Sequence, residues 1–381
     1  MKLFRHDELF KRALDLRYVP AAETLRLYTE EVAQSKKYAL GKIMKANTAL
    51  LQKSTLSPIS VEGRDYVPVD VDVSPLDNSG SHKEGVSRTY KGHDGYAPIF
   101  SYIGAEGYML DCDLREGKQH CQKDTPAYLR RNIRTLKKLT SKAPYLFRLD
   151  GGNDATETLR VLQKSGHFFL VKRNLRRESP LYWLDIAKSV GEKASYESRE
   201  GEKVYIGTYT GKGPAGDEAL GEHMEIVFQV TERTIDKRGN LLHFPEVEVE
   251  TYWTNLYEEP EAVIEIYHAH GTSEQYHSEL KTDMNIERLP SGKMAVNELV
   301  LSVAMVAFNT LRLIGQTALS FIDELPCEHS VLRKRLRKVI DDLIRVGCKF
   351  VYHARRWTLK LWAKDPWYPV FASTYAALLA L

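Results

Sequence analysis

Tyr66-Val-Pro-Val-Asp-Val-Asp-Val73 alternates apolar residues with Asp70 and Asp72. A period of two belongs to a strand with one wet edge or face, and two carboxylates stand near its C-terminal end. Tyr96–Tyr102 and Tyr108–Leu114 read as the next two strands, joined by a Gly-containing turn. Together the three predict an antiparallel meander. Thr125–Lys138 then reads as a helix with Pro126 near its first turn. Pro144–Leu149 is a short buried strand that ends at Asp150-Gly151-Gly152, Ala155–Lys164 a helix stopped by Gly166, and His167–Val171 another strand. Three strands, helix, strand, helix, strand predicts an α/β domain with a mixed sheet covered by helices. Acidic residues at the ends of neighbouring strands are where such sheets place their sites.

The rest of the chain is arranged around this block. Residues 1 to about 60 carry apolar residues at three- and four-residue spacing and read as helices, with a linker at Ser54–Ser60. From about 175 to 250 the pattern turns strand-like, with Lys203–Tyr209, Met224–Val230 and Val247–Trp253 separated by Gly-rich turns and no strong helix. This predicts a β insertion. A long helix over roughly Pro260–Met284 follows, then an apolar, buried one over Asn297–Leu319. The tail offers a basic helix at Ser330–Arg345, a strand pair near Phe350–His353 and Thr358–Trp362, and a short terminal helix. Three parts are expected: a helical N-terminal segment (1–60), a catalytic domain (61–320) and a basic C-terminal segment (321–381).

Composition excludes several classes. Among 381 residues, 43% are hydrophobic and 28% charged, as in an ordinary soluble globular protein. Net charge is only +3, but the cations are clustered. Val331–Lys364 holds eleven Lys or Arg against Asp341 and Asp342 alone. Further runs are Arg130, Arg131, Arg134, Lys137, Lys138 and Lys142, and Lys172, Arg173, Arg176 and Arg177. Such clusters are the footprint of a phosphate backbone, although any one run could be a solvated helix face. The four cysteines show no CxxC spacing, which fits free thiols in a reducing compartment. Cys112, His120 and Cys121 are spaced poorly for a zinc half-site. The charged start MKLFRHDELFKR is unlike a signal peptide, and the apolar stretches near Val300–Ala307 and Tyr375–Leu381 are short for a bilayer. A cytoplasmic protein is expected. No GxxxxGK[ST] phosphate loop occurs, and Gly211–Gly216 reads as a β-turn.

The chemistry concentrates in Tyr267-His-Ala-His-Gly-Thr-Ser-Glu-Gln-Tyr-His-Ser-Glu-Leu-Lys281. On a helix, Tyr267, His270, Glu274, His277 and Lys281 fall within about 80° of arc. A core helix would put Leu or Val there. This stripe instead carries a carboxylate flanked by cations and a phenol, suited to a metal ion and a phosphate. Glu279 lies about 140° from Glu274 and off the stripe. His268 and His270 point too far apart to pair on a metal. With Asp70/Asp72 and Asp150 upstream, a carboxylate trio from separated segments suggests two-metal phosphoryl transfer, since Mg²⁺ favours oxygen ligands.

These motifs resemble the DDE transposases of bacterial insertion sequences, in the branch with a β insertion and a Tyr-x2-Arg-x3-Glu-x6-Lys signature. Tyr267, Glu274 and Lys281 match that spacing, and His270 stands where the family has Arg. Asp70-Val-Asp72-Val-Ser74 matches the first acidic motif, with Asp72 at the catalytic position, and Arg148-Leu-Asp150-Gly-Gly matches the second. Lys83-Glu-Gly-Val, Trp253-Thr-Asn-Leu and Arg355-Arg356 are further similar stretches. The resemblance covers roughly residues 15–370. It implies an RNase H-like fold, with Mg²⁺ or Mn²⁺ held by Asp72, Asp150 and Glu274 as catalytic residues. It implies double-stranded DNA as partner, as terminal inverted repeats and target, and a homodimer in the DNA complex. Tyr267, His270, Lys281, Arg355 and Arg356 would contact DNA. His270 lacks the guanidinium fork and should grip phosphate more weakly than Arg. The helical segment before the first acidic strand, a candidate DNA-binding part, is shorter than is usual in the family, as in a short or truncated version.

Rival readings remain at this level. Asp150 before Gly-Gly could be a turn residue, Asp70 and Asp72 the charged face of an edge strand, and Glu274 with Lys281 surface charges. Asp154 and Glu84 are expected to be structural. Trp253 could stack on an extruded base or pack in the core. A catalytically impaired or domesticated DNA-binding derivative, or an RNase H-like nuclease without strand transfer, are the functional alternatives.

Overall fold

Tyr66–Val73 lies within the central strand of a ten-stranded sheet. In the computed structural model, residues 4–190, 195–210, 225–236, 238–326 and 331–381 are described. The strands are β1 (Ile59–Val61), β2 (Arg64–Val73), β3 (Leu76–Asp77), β4 (Ser87–Arg88), β5 (Asp94–Tyr96), β6 (Ile99–Ile103), β7 (Tyr108–Asp113), β8 (Tyr145–Leu149) and β9 (Phe168–Lys172). They continue as β10 (Ser195–Arg199), β11 (Glu202–Tyr209), β12 (Glu225–Ile235), β13 (Leu241–Thr254), β14 (Cys348–His353) and β15 (Arg356–Leu361).

The large sheet runs β10-β11-β12-β13-β9-β8-β2-β6-β7, with β1 beside β2. β2, β6 and β7 form the expected antiparallel meander, while β8 is parallel to β2 and β9 parallel to β8. Three antiparallel strands followed by two parallel ones joined through helices is the RNase H-like arrangement. Pro68 is tolerated inside β2 because it falls at a junction. On that side, pairing with β1 ends at Tyr66 and pairing with β6 begins at Val69, so no ladder donor is missed there. Pro98 likewise divides the expected strand Tyr96–Tyr102 between β5 and β6.

The two faces of the sheet carry different helices. Val67, Val69, Val71, Phe147 and Leu149 pack with Leu129, Ile133, Leu159 and Leu162, from helices Thr125–Leu136 and Thr156–Ser165. On the other face, Leu146, Leu170 and Tyr252 pack with Val263, Ile264 and Ile266 of helix Pro260–His268. The β insertion is not a separate layer. Through Tyr252↔Lys172 and Thr254↔Leu170, β13 pairs with β9 and extends the large sheet itself. One helix in this region, Pro180–Val190, contradicts the all-strand expectation. Its buried side is Trp183, Leu184 and Ala187, and the Leu181 N–H donates to Ser179 Oγ at 3.2 Å in its first turn.

Helix Met294–Leu319 starts three residues before the expected Asn297. By length and composition alone it could cross a bilayer, contrary to the expectation that every apolar stretch is too short. Its burial says otherwise. Arg312 and Asn309 are buried within it, and the Asn309 amide donates to Asn47 Oδ1 and to the Met109 carbonyl, both at 2.7 Å. These bonds tie it to helix Lys36–Gln52 and to β7, so the N-terminal helices are packed on the core rather than apart from it. The basic tail helix is shorter than expected, Leu336–Val339 continuing as a π-turn over Ile340–Ile344. The three described cysteines are free. The turn expected at Gly211–Gly216 lies outside the described residues.

Candidate active site

The parallel register of β2 and β8 sets the site. Asp70 is the partner of Arg148, so two residues further on Asp72 and Asp150 stand side by side at the strand ends. All four side chains share the face that meets the helical segment starting at Pro260. That segment is continuous in course but not one α-helix. It runs α (Pro260–His268), 3-10 (Ala269–Thr272), α (Ser273–Ser278) and π (Glu279–Asp283). Gly271, Thr272 and Ser273 are weak helix formers, and Thr272 Oγ1 donates back to the Ala269 carbonyl at 2.6 Å, tightening that turn. Irregular turns of this kind are frequent at functional sites. Gly107 lets the segment come close: at φ +72° in the β6–β7 turn, a Cβ there would lie 2.3 Å from the ring of Tyr276.

Asp72, Asp150, Tyr267, His270, Glu274, His277 and Lys281 all line one cleft of about 730 Å³. Helix geometry thus keeps the five stripe residues together despite the irregular turns. His270 is placed differently from an open phosphate contact. It is 7% exposed, and its Nδ1 lies 3.0 Å from Asp70 Oδ1. Arg148, 3% exposed, completes the arrangement, with Nε 2.6 Å from Asp70 Oδ1 and a second guanidinium nitrogen 2.8 Å from Oδ2. A further Arg148 nitrogen donates to the Ile266 carbonyl at 2.8 Å, joining strand to helix. Burial alone would raise the Asp70 carboxyl, but Arg148 and His270 overcome it and hold it at about 2.

Asp72 and Asp150 have less cationic company. Asp72 Oδ1 accepts the Val73 N–H at 2.7 Å, and Oδ2 lies 3.2 Å from His277 Nε2. Burial lowers the His277 imidazole against the pull of Asp72, so it is a weak counter-charge. Asp150 accepts from the Asn153 amide at 2.6 Å. Burial first, and then the charge of Asp72, push its carboxyl up to about 6. Glu274 is exposed on the helical wall. Among the described residues no three His, Cys, Asp or Glu side chains are grouped closely enough to hold a metal ion. The donor chemistry does fit a hard divalent cation. Oxygen donors come from three segments, and two of them are half-buried carboxylates, Asp150 being raised by burial and by the charge of Asp72, which a cation would relieve.

Tyr267 packs on Tyr252, ring centroids 4.7 Å apart, with Lys172 Nζ 5.7 Å from its ring centroid. Lys281 donates to Ser74 Oγ at 2.7 Å and to the Pro75 carbonyl at 2.8 Å. Arg355 and Arg356 do not line the cleft. They sit at the exposed tip of the β14–β15 hairpin, where Ala354 and Arg355 take positive φ. Sequence reasoning did not place Tyr90, Lys172 or Glu250 at the cleft. The Tyr90 ring is 68% exposed while its hydroxyl donates to the Val73 carbonyl at 3.0 Å, beside Asp72. Glu250 comes from the insertion, 2.5 Å from Lys172 Nζ and 3.2 Å from His268 Nε2. Its only sequence signal is the Val-Glu-Val-Glu alternation of β13, which puts Glu248 and Glu250 on one face.

The other polar residues near the motifs are structural. Trp253 is buried, and its indole N–H donates to Asp154 Oδ1 at 3.1 Å, which places it in the core. Glu84 accepts the Met294 N–H at 3.0 Å. Glu279, off the stripe, is buried against Arg312 at 2.9 Å and also pairs with Arg333.

An RNase H-like sheet with acidic ends on its first and fourth core strands marks the class of nucleic-acid phosphoryl-transfer proteins. The chain belongs to the transposase DDE domain group 1 family, whose model matches residues 2–381. A comparison with curated proteins finds no match. Among solved structures, a piggyBac transposase synaptic complex with hairpin DNA is similar at a TM-score of 0.38 and 10% identity, over 82% of this chain and 54% of that one. The chain therefore spans about half the length of that transposase chain.

Proposed function

We propose that the protein is a DNA transposase of an insertion sequence. It nicks double-stranded DNA at the element's ends and transfers the freed 3′-hydroxyls to target DNA. The observation that carries this reading is the convergence of Asp72, Asp150 and Glu274, from two strand ends and a helix, on a single cleft. These three are the proposed catalytic residues and ligands of Mg²⁺ or Mn²⁺. Bound there, the ion would supply Lewis acidity and charge neutralisation to a phosphodiester. In nicking, a water oxygen bonds to phosphorus and the 3′-oxygen leaves as a hydroxyl. In joining, that hydroxyl attacks a target phosphodiester and another 3′-hydroxyl leaves.

The chain's own groups have distinct proposed parts. Arg148 and His270 fix Asp70, which holds β2 and the helical segment in register beneath the reacting carboxylates. His277 orients Asp72. Lys281 and Tyr267 stand at the cleft wall where the phosphates of the cleaved end would lie. Arg355 and Arg356 present charge at a hairpin tip, suited to the backbone of a duplex held outside the cleft. Residues 61–320 are the proposed catalytic part, with DNA contacts added by 1–60 and 321–381. A homodimer bridging two element ends is the proposed working form.

The test is cleavage and joining on DNA bearing the element's ends, with and without Mg²⁺, for wild type and Asp150→Ala. Metal-dependent joined products that fall at least about 10³-fold in the variant are expected, a loss of roughly 4 kcal/mol in transition-state stabilisation. Nicking without joining would replace the proposal with a nuclease. DNA binding with no reaction would replace it with an impaired derivative.

A further inference from the structure

A second groove lies on the sheet face opposite the helical segment that carries Glu274. It runs between helices Thr125–Leu136 and Thr156–Ser165, encloses about 650 Å³, and is lined by Arg130, Arg134, Lys137, Arg160 and Lys164. The spacing explains the convergence. Arg130, Arg134 and Lys137 follow one another at four and three residues, and Arg160 and Lys164 at four, so each helix turns one basic stripe toward the other. Their apolar stripes (Leu129, Ile133 and Leu136, and Leu159 and Leu162) are sunk in the sheet core, which fixes the basic ones outward. Glu157 is the acid in the lining, and it meets Arg130 at 4.0 Å. Among the described residues, Arg134, Lys137 and Lys164 have no ion-pair partner and all are exposed.

We propose that this groove is a second DNA-binding surface, which grips the phosphate backbone of a duplex outside the catalytic cleft. The inference rests on the transposase reading but concerns a different site. Five cations against one acid in a walled groove give a positive field that a polyanion would neutralise. The distance from Arg130 to Lys137 is about 10 Å of helix, or about three base pairs of duplex. The field extends sideways, because Arg134 also lines an adjoining hollow with Lys45 and Lys138. The groove is physically tied to the catalytic turn. Cys121 Sγ donates to the Gly152 carbonyl at 2.7 Å and the Gln122 amide to the Asp154 carbonyl at 3.0 Å, linking the approach to the first helix with the segment after Asp150. A duplex held here stays in fixed relation to the reacting carboxylates without entering their cleft. Contacts to the phosphate backbone carry no base information, so binding here should be independent of sequence.

The experiment measures duplex DNA affinity across a range of salt for wild type, Arg134→Ala/Lys137→Ala/Lys164→Ala, and the charge-retaining Arg134→Lys/Lys137→Arg/Lys164→Arg. Each lost phosphate contact lowers the slope of log K against log salt by about 0.9, so the alanine variant should lose about 2 to 3. The charge-retaining variant should keep the wild-type slope. All three should unfold at the same temperature. An alanine variant with the wild-type slope would overturn the inference and leave solvated helix faces, as would an equal loss in the charge-retaining variant. The transposase reading is judged separately, by metal-dependent cutting of element ends and its loss in Asp150→Ala. Absence of duplex binding by wild type would overturn both.

Discussion

Asp70 and Asp72 stand two residues apart on one face of β2, yet their surroundings are opposite. Asp70 is closed: two guanidinium nitrogens and an imidazole occupy its oxygens, and its carboxyl is held at about 2. Asp72 faces Asp150 one step along the same register, with a weakly basic imidazole as its nearest cation candidate. Burial works to raise the Asp72 carboxyl, but His277, His270 and the Val73 N–H hold it below its ordinary value, whereas Asp150 is pushed up. The closed position fixes geometry. Asp150 is the group left under electrostatic stress, which a bound cation would relieve. The two carboxylates on β2 thus differ both in burial, with Asp70 and Asp72 side chains 3% and 22% exposed, and in who satisfies them.

The sharpest way to break this comparison is Arg148→Ala. It leaves Asp70 buried without its bidentate partner and cuts the bond to the Ile266 carbonyl. A loss of about 3–5 kcal/mol in unfolding free energy is expected. The sign with pH follows. Asp70 is depressed below its ordinary 3.8, so its contribution is present above that value and lost as pH falls toward about 2. Acid denaturation of wild type should therefore carry this loss, and the variant should show less of it. An unfolding curve for Arg148→Ala that matches wild type would mean that Asp70 is not closed by Arg148.

Asp150→Asn probes the open side and should move stability the other way. Asp150 is raised from 3.8 to about 6, so the folded metal-free protein binds a proton more tightly than the unfolded chain. Its contribution is present at low pH and lost as pH rises through about 6. Removing the charge should stabilise the metal-free protein by about 1–3 kcal/mol at pH 8, with nothing gained at pH 4, while activity is abolished. Mg²⁺ should raise the unfolding temperature of wild type and leave the variant's nearly unchanged. A variant that is less stable than wild type at pH 8 would remove the argument for stress at Asp150.

What was legible in the chain follows the range of the forces involved. The alternation in Tyr66–Val73 and the Asp-Gly-Gly stop after Leu149 are local, and both strands lie where these signals place them. The stripe Tyr267–Lys281 was legible as a helix face, although its 3-10 and π turns were not, because Thr272 back-bonding and the pull of packing act below the level of periodicity. The partner of His270 was invisible, since it depends on a strand register that pairs residues 78 apart in sequence, Asp70 with Arg148. Glu250 was missed for the same reason. Only the pairing of β13 with β9 brings the insertion to the cleft. Helix Pro180–Val190 did carry a local signal, Ser179 ahead of Pro180, which the surrounding strand-like residues obscured.

The smallest expected effect tests the boundary between the closed and open halves, at Lys281. Its ammonium has three protons, and Ser74 Oγ and the Pro75 carbonyl take two of them, so it is fixed to the chain just beyond β2 with one donor left for a ligand. Burial lowers it from its ordinary range, and a phosphate beside it would offset that burial. Lys281→Ala should weaken binding of a cleaved element end by about 3- to 10-fold, or roughly 1 kcal/mol, and lower the salt slope by about 0.9. Binding of an uncut duplex through the groove on the opposite face should not change. Equal weakening for both DNAs would make Lys281 a general contributor to the protein's field. Specific weakening for the cleaved end would place the reacting phosphate on the open side of the cleft, next to Asp72.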